Sequence, residues 1–110
     1  MVSIKNFIES IRFFSFLNGV EVVNIYYRVK TKKLVHDYLG IRLILRTSKD
    51  CLRLGELISD NYQVLTERYR DYITNPWALG YRSIHIDILF EGRVFELQIR
   101  TEEMEKNLLN

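Results

Sequence analysis

One cysteine, one proline, one tryptophan and two histidines are all that this chain of 110 residues carries of those types. With Cys51 alone, no internal disulfide can form, and a reducing, cytoplasmic setting is the expectation. Cys51, His36 and His85 are too few for a structural zinc site. No apolar run approaches the ~20 residues that a bilayer-spanning helix requires, so no membrane partner is expected. The opening "MVSIKNFIES" carries charge too early for a secretory signal. Charge of one sign is also scarce. A net charge of +2 does not by itself imply a nucleic-acid partner. Lys30, Lys32 and Lys33 form a local basic cluster, which reads equally as a patch or as a solvated helix end. Internal repeats and low-complexity tracts are absent.

What the chain has in quantity is apolar and charged residues, 47% and 27%, the proportions of a globular protein. The length suits one domain over residues 1–110. Ser3 is placed to cap a helix whose apolar residues Ile4, Phe7, Ile8, Ile11 and Phe14 follow the 3.6-residue period, and Asn18-Gly19 ends it. Val20–Lys33 has β-branched content but no clean alternation, and its length tips the reading to a helix. Ile41–Thr47 reads as a strand. "SKDCLRLGELISD" reads as a helix capped by Ser48 and burying Cys51, Leu54, Gly55 and Ile58. Residues 61–80 read as irregular, punctuated by Pro76 and Gly80. Two strands follow, roughly 81–90 and 93–100, then a last helix with Thr101 as its cap. Helices and strands mix without a strict βαβ rhythm, which makes the class α+β.

The strand pair is the most informative stretch. Glu91-Gly92 suits a tight hairpin turn, and with those two residues at the tip Ile84 faces Ile99, Ile86 faces Leu97 and Ile88 faces Phe95. The other face pairs Ser83 with Arg100, His85 with Gln98, and Asp87 with Glu96. A wet sheet face explains such alternation as readily as a site does. Directly opposed like charges destabilise a sheet, however, so Asp87 and Glu96 call for a cation, a protonation shift or a function. Carboxylates are ligands that magnesium prefers. Tyr81 extends the same face beside Gly80, as ordinary packing or as a shelf for a planar base.

Four blocks, "DYLGIR" (Asp37–Arg42), "DCLRLG" (Asp50–Gly55), "DYITNPWALGYRSIH" (Asp71–His85) and "ELQIRT" (Glu96–Thr101), stand in order over about residues 35 to 104. Together they resemble the synthetase domain of the RelA/SpoT family, the enzymes that make the alarmones (p)ppGpp. That resemblance implies a nucleotidyltransferase-like fold: a mixed, largely antiparallel β-sheet flanked by helices. It implies transfer of the β,γ-pyrophosphate of ATP to the 3′-hydroxyl of GDP or GTP, with Mg²⁺ as the cofactor. By the same likeness Asp37 and Glu96 are the catalytic and metal-binding carboxylates. Tyr81 is the guanine shelf, His85 lines the acceptor site, and Arg70, Gln98 and Arg28 complete the substrate-binding set. Arg42 and Arg100 match family arginines of structural role.

The departures from the family pattern are specific. Trp77 and Leu79 stand where the acceptor loop of the family has Lys and Asn. In the ATP-binding pattern, Asn18, Val20 and Asn24 replace an Arg, a Lys and a Ser, while Ile25 and Arg28 are retained. Three readings therefore remain: an active pyrophosphokinase, a non-catalytic guanine-nucleotide-binding or regulatory module, and transfer to the 3′ end of tRNA as some toxin relatives perform it. A homo-oligomer is left open. The His36-Asp37 pair is similar to the metal pair of the HD hydrolases, but that site needs further histidines, and only His85 remains.

Overall fold

A computed structural model describes residues 4–30, 38–65 and 69–108, with residues 28–30 and 38 described by their backbone. The periodic N-terminal run forms α1 (Ile4–Leu17), and Phe7 and Ile11 are fully buried. Asn18 closes it, donating from both its backbone N–H and its side chain to Phe14 O, and Gly19 then turns the chain with φ +69°. Ser3, the expected cap, lies outside the described residues.

The segment read as a second helix is instead β1 (Asn24–Lys30), which pairs antiparallel with β2 (Tyr38–Leu45). Its β-branched and aromatic residues suit a pleated surface. Among the described residues β1 has a hydrogen-bonded neighbour on one side only, and the adjacent Tyr26 and Tyr27 are both exposed. An edge strand of that kind shows no alternation for sequence reading to detect. α2 (Ser48–Asn61) buries Cys51, Leu54, Gly55 and Ile58 as expected. Its cap is Thr47 rather than Ser48: Thr47 is extended, and its hydroxyl accepts from Asp50 N at 3.1 Å. Residues 61–80 are not wholly irregular. They hold β3 (Gln63–Val64), β4 (Arg70–Asp71) and one turn of 3-10 helix at Ala78–Gly80.

β5 (Ile84–Phe90) and β6 (Arg93–Thr101) form the hairpin. Its register is the expected one, from Ile84 opposite Ile99 to Phe90 opposite Arg93. Glu91 and Gly92 at the tip both have positive φ, +49° and +79°, the pattern of a tight turn whose twist matches its strands. The first strand begins at Ile84, not at Tyr81, although Tyr72 N still donates to Ser83 O. α3 (Glu102–Leu108) closes the described chain, and Thr101 caps it by accepting from Met104 N at 3.1 Å.

Among the described residues the sheet runs β1-β2-β6-β5-β3, with β4 also on β5. Only β2 and β6 run parallel; every other pair is antiparallel. One face carries Leu39, Ile41, Leu43, Ile84, Ile86, Ile88, Phe95, Leu97 and Ile99, all buried, and α1 and α2 cover it. The Phe7 ring stacks on Phe95 at 4.2 Å, which locks α1 to the hairpin. Burial pushes the Cys51 thiol up to about 12, so it packs as an inert apolar group. With that face dry, strand alternation forces every intervening side chain to the opposite face.

Candidate functional site

Strand register builds the opposite face as two rows across the sheet. The first runs Arg28, Gly40, Glu96, Asp87 over β1, β2, β6 and β5. The second runs Tyr26, Arg42, Gln98, His85, Arg70 over β1, β2, β6, β5 and β4. Glu96, Gln98, His85 and Arg70 therefore stand in adjacent rows, Arg70 joining through a strand where the sequence reads as irregular. Arg28 joins them by its ladder position, and its side chain lies outside the described residues. Asp37, the other expected carboxylate, lies outside them too, as do Lys32, Lys33 and His36.

Tyr81 reaches this face from the loop. Its hydroxyl lies 2.8 Å from His85 Nε2 and accepts from Arg100 Nη2 at 3.2 Å. A guanidinium only donates, so the tyrosyl oxygen accepts that bond, and the direction of the Tyr81–His85 bond follows the histidine tautomer. Arg100 also sits over the Tyr81 ring, with Cζ 5.7 Å from its centroid. Arg100 and Ser83, expected on a wet face, are buried. The Ser83 hydroxyl donates to Ile99 O at 3.2 Å, a role in the fold. Arg100 Nη1 meets Glu105 Oε1 at 3.3 Å, and Arg42 Nη1 meets Glu105 Oε2 at 2.5 Å. Arg100 Nη2 donates further to Gln98 Oε1. Burial lowers the pKa of Arg100 from its ordinary value; neighbouring Arg42 adds to that, while Tyr81 and Glu105 oppose it.

The loop before β5 is held by Asp71, whose Oδ1 accepts from Ile73 N and Thr74 N, both at 2.9 Å, and whose Oδ2 accepts from the Thr74 hydroxyl at 2.6 Å. Tyr72 gathers the aromatic groups. Trp77 stacks on it at 5.7 Å, and Tyr81 and His85 meet it edge-on at 6.1 and 5.3 Å. Gly80 has φ +75°, and a Cβ there would meet nothing within 4 Å, so the turn requires the glycine and its outer side is open. Leu79 takes φ +59° without being glycine and is fully exposed.

The sequence reading missed Glu105, Tyr72 and Tyr26. Glu105 had no signal, because nothing local says that α3 returns to the sheet. Tyr72 stood in a recognised block as an ordinary aromatic. Tyr26 was assigned to a helix. It lines a shallow recess of about 90 Å³ with Gly40, Arg42, Glu96 and Gln98, and Arg42 Cζ lies 5.6 Å from its ring centroid.

The oxygen donors of Asp87 and Glu96 are of the kind a magnesium ion accepts, and such an ion takes one or two carboxylates and keeps its waters. Both carboxylates have interaction partners, so their opposition alone does not require an ion. Among the described residues, no three His, Cys, Asp or Glu side chains gather to hold a metal.

Comparison with known proteins agrees with this geometry. The profile described as "Region found in RelA / SpoT proteins" matches residues 17–108. Probable GTP diphosphokinase RSH2, chloroplastic, from Oryza sativa subsp. japonica is 42% identical over 71 residues, 64% of this chain and 10% of that protein. A probable guanosine-3′,5′-bis(diphosphate) 3′-pyrophosphohydrolase of Mycoplasma pneumoniae is 41% identical over 71 residues, again 64% and 10%. The chain thus spans about a tenth of the length of these curated relatives. Among solved structures, small alarmone synthetase 1 from Bacillus subtilis bound to its product pppGpp superposes with a TM-score of 0.72 at 21% identity, covering 96% of this chain and 69% of that one. Small alarmone synthetase 2 from the same organism gives 0.73 at 24% identity, covering 93% and 68%. Those two likenesses establish the fold.

Proposed function

The chain belongs to the RelA/SpoT family, and on that premise we propose that it transfers the β,γ-pyrophosphate of ATP to the 3′-hydroxyl of GDP or GTP. The observation that carries this reading is the hairpin register: it sets Glu96, Gln98 and His85 in adjacent rows beside Arg70, with the Tyr81 hydroxyl on His85. Tyr81 is the shelf on which guanine stacks; Arg100 and His85 fix its ring, so stacking does not first have to order the side chain. Arg70, half-buried and paired with His85 across β4 and β5, offers its guanidinium to an acceptor phosphate. Gln98 and His85 line the acceptor between the shelf and the carboxylate. Glu96 then sits where it can take the proton of the attacking 3′-hydroxyl, a role that adds roughly 10²–10⁴-fold. Mg²⁺, held by Glu96 with Asp37 as the family resemblance implies, would neutralise charge on the transferred phosphoryl oxygens. Excluding water and aligning the two nucleotides remain the work of the protein.

A second reading has its own observation. The three positions where this chain replaces a donor-site group of the family pattern each have a structural duty here. Asn18 closes α1, Val20 is buried at 4% exposure, and the Asn24 side chain donates to Tyr26 OH at 2.9 Å. A chain that binds guanine nucleotide without transferring pyrophosphate fits those replacements.

The test is γ-labelled ATP with Mg²⁺ and GDP, GTP or tRNA as acceptor, run beside Glu96→Gln. Label on a guanine nucleotide with the intact chain, and none with the variant, supports transfer. GDP binding without transfer supports the second reading. Label on tRNA alone redirects the reading to the third acceptor considered from sequence.

A further inference from the structure

We propose that Glu105 is a positioning residue for the base-stacking site: it holds Arg100 against Tyr81 from the far side of the sheet face. The inference rests on Tyr81 being the guanine shelf. One carboxylate bridges two guanidiniums, Arg42 at 2.5 Å and Arg100 at 3.3 Å, and its own side chain is only 16% exposed. Arg100 is buried more deeply, at 5% side-chain exposure, and it touches Tyr81 twice, through the hydroxyl at 3.2 Å and across the ring at 5.7 Å. The path from α3 to the shelf is therefore continuous: Glu105, Arg100, Tyr81, His85.

The electrostatics give Glu105 its leverage. Arg42 and Arg100 repel one another, and the Glu105 carboxylate between them offsets that repulsion at close range. Removing its charge leaves two partly desolvated guanidiniums side by side, a costly arrangement that Arg100 relieves by turning toward water. Turning breaks both of its contacts with Tyr81 and frees the ring. The effect should fall first on the guanine nucleotide, because the path ends on Tyr81 and His85; a weaker branch runs from Arg100 through Gln98 to Glu96 Oε1 at 3.5 Å.

The test is a double-mutant cycle read by calorimetric titration with GDP on the full chain, using Glu105→Gln, Tyr81→Ala and the pair. The expected result is about tenfold weaker GDP binding for Glu105→Gln, with no further loss when it is added to Tyr81→Ala. Glu105→Asp, which keeps the charge, should recover part of the loss. In the transfer assay the KM for GDP should rise by a larger factor than kcat falls, with the KM for ATP unchanged. Unaltered GDP binding by Glu105→Gln, or an equal loss in both backgrounds, overturns the proposal while leaving the shelf intact. Unaltered binding by Tyr81→Ala overturns the shelf itself, and the proposal with it. If Glu105→Gln does not fold, the same cycle run with Glu105→Asp decides by the same criteria.

Discussion

The two ends of the polar face are built in opposite ways. Around the proposed acceptor site, Tyr81, His85 and Arg100 hold one another, Gln98 bonds Arg100, and Arg70 stands opposite His85 in the sheet. At the positions where the family resemblance replaces ATP contacts, side chains are turned inward or bonded locally: Val20 in the core, Asn18 on the end of α1, Asn24 on Tyr26. Burying an unpartnered charge costs stability, so the packing around Val20 disfavours a cation there. The difference teaches that membership of a family fixes the frame, while what each part of the polar face does has to be tested separately.

The contrast can be broken or sharpened in three ways. The largest effect is expected from Val20→Lys, which would restore a cation at a position now 4% exposed. It should cost about 3 kcal/mol in a denaturant melt and leave ATP affinity where it was. Tighter ATP binding at unchanged stability would show that the donor end is merely under-equipped rather than rebuilt. Next comes Arg70→Gln at the acceptor end. GDP binding should weaken about tenfold, with GMP less affected, since the arginine is assigned to phosphate. An equal loss for both nucleotides would move Arg70 away from the distal phosphate. The smallest effect is expected at Leu79, whose φ of +59° strains a branched side chain. Leu79→Asn should raise stability by about 0.5–1 kcal/mol, because asparagine tolerates that conformation. A melt that shifts downward would mean that the exposed leucine is held by a contact worth more than the strain.

Legibility in the sequence followed the range of the interactions involved. The hairpin was readable because its turn, Glu91-Gly92, and its alternation lie within about twenty consecutive residues, and the observed register matches the expected one from Ile84 to Phe95. The buried set on α2 was readable for the same reason: a 3.6-residue period is a local signal. β1 was misread because an edge strand with both tyrosines exposed has no alternation to display. The cap moved from Ser48 to Thr47 because neighbouring residues that can both cap are distinguished only by which one the preceding strand leaves extended.

By itself, then, the sequence determined the class of fold, the apolar face of the hairpin, and the polar residues that face away from it, because period and turn chemistry act between near neighbours. Tertiary structure alone decided that β2 lies parallel to β6, setting Gly40 beside Glu96 and Arg42 beside Gln98. It also decided that α3 returns Glu105 to two arginines from different strands. Those placements depend on how separate elements share one core, and no pattern within a single element encodes that.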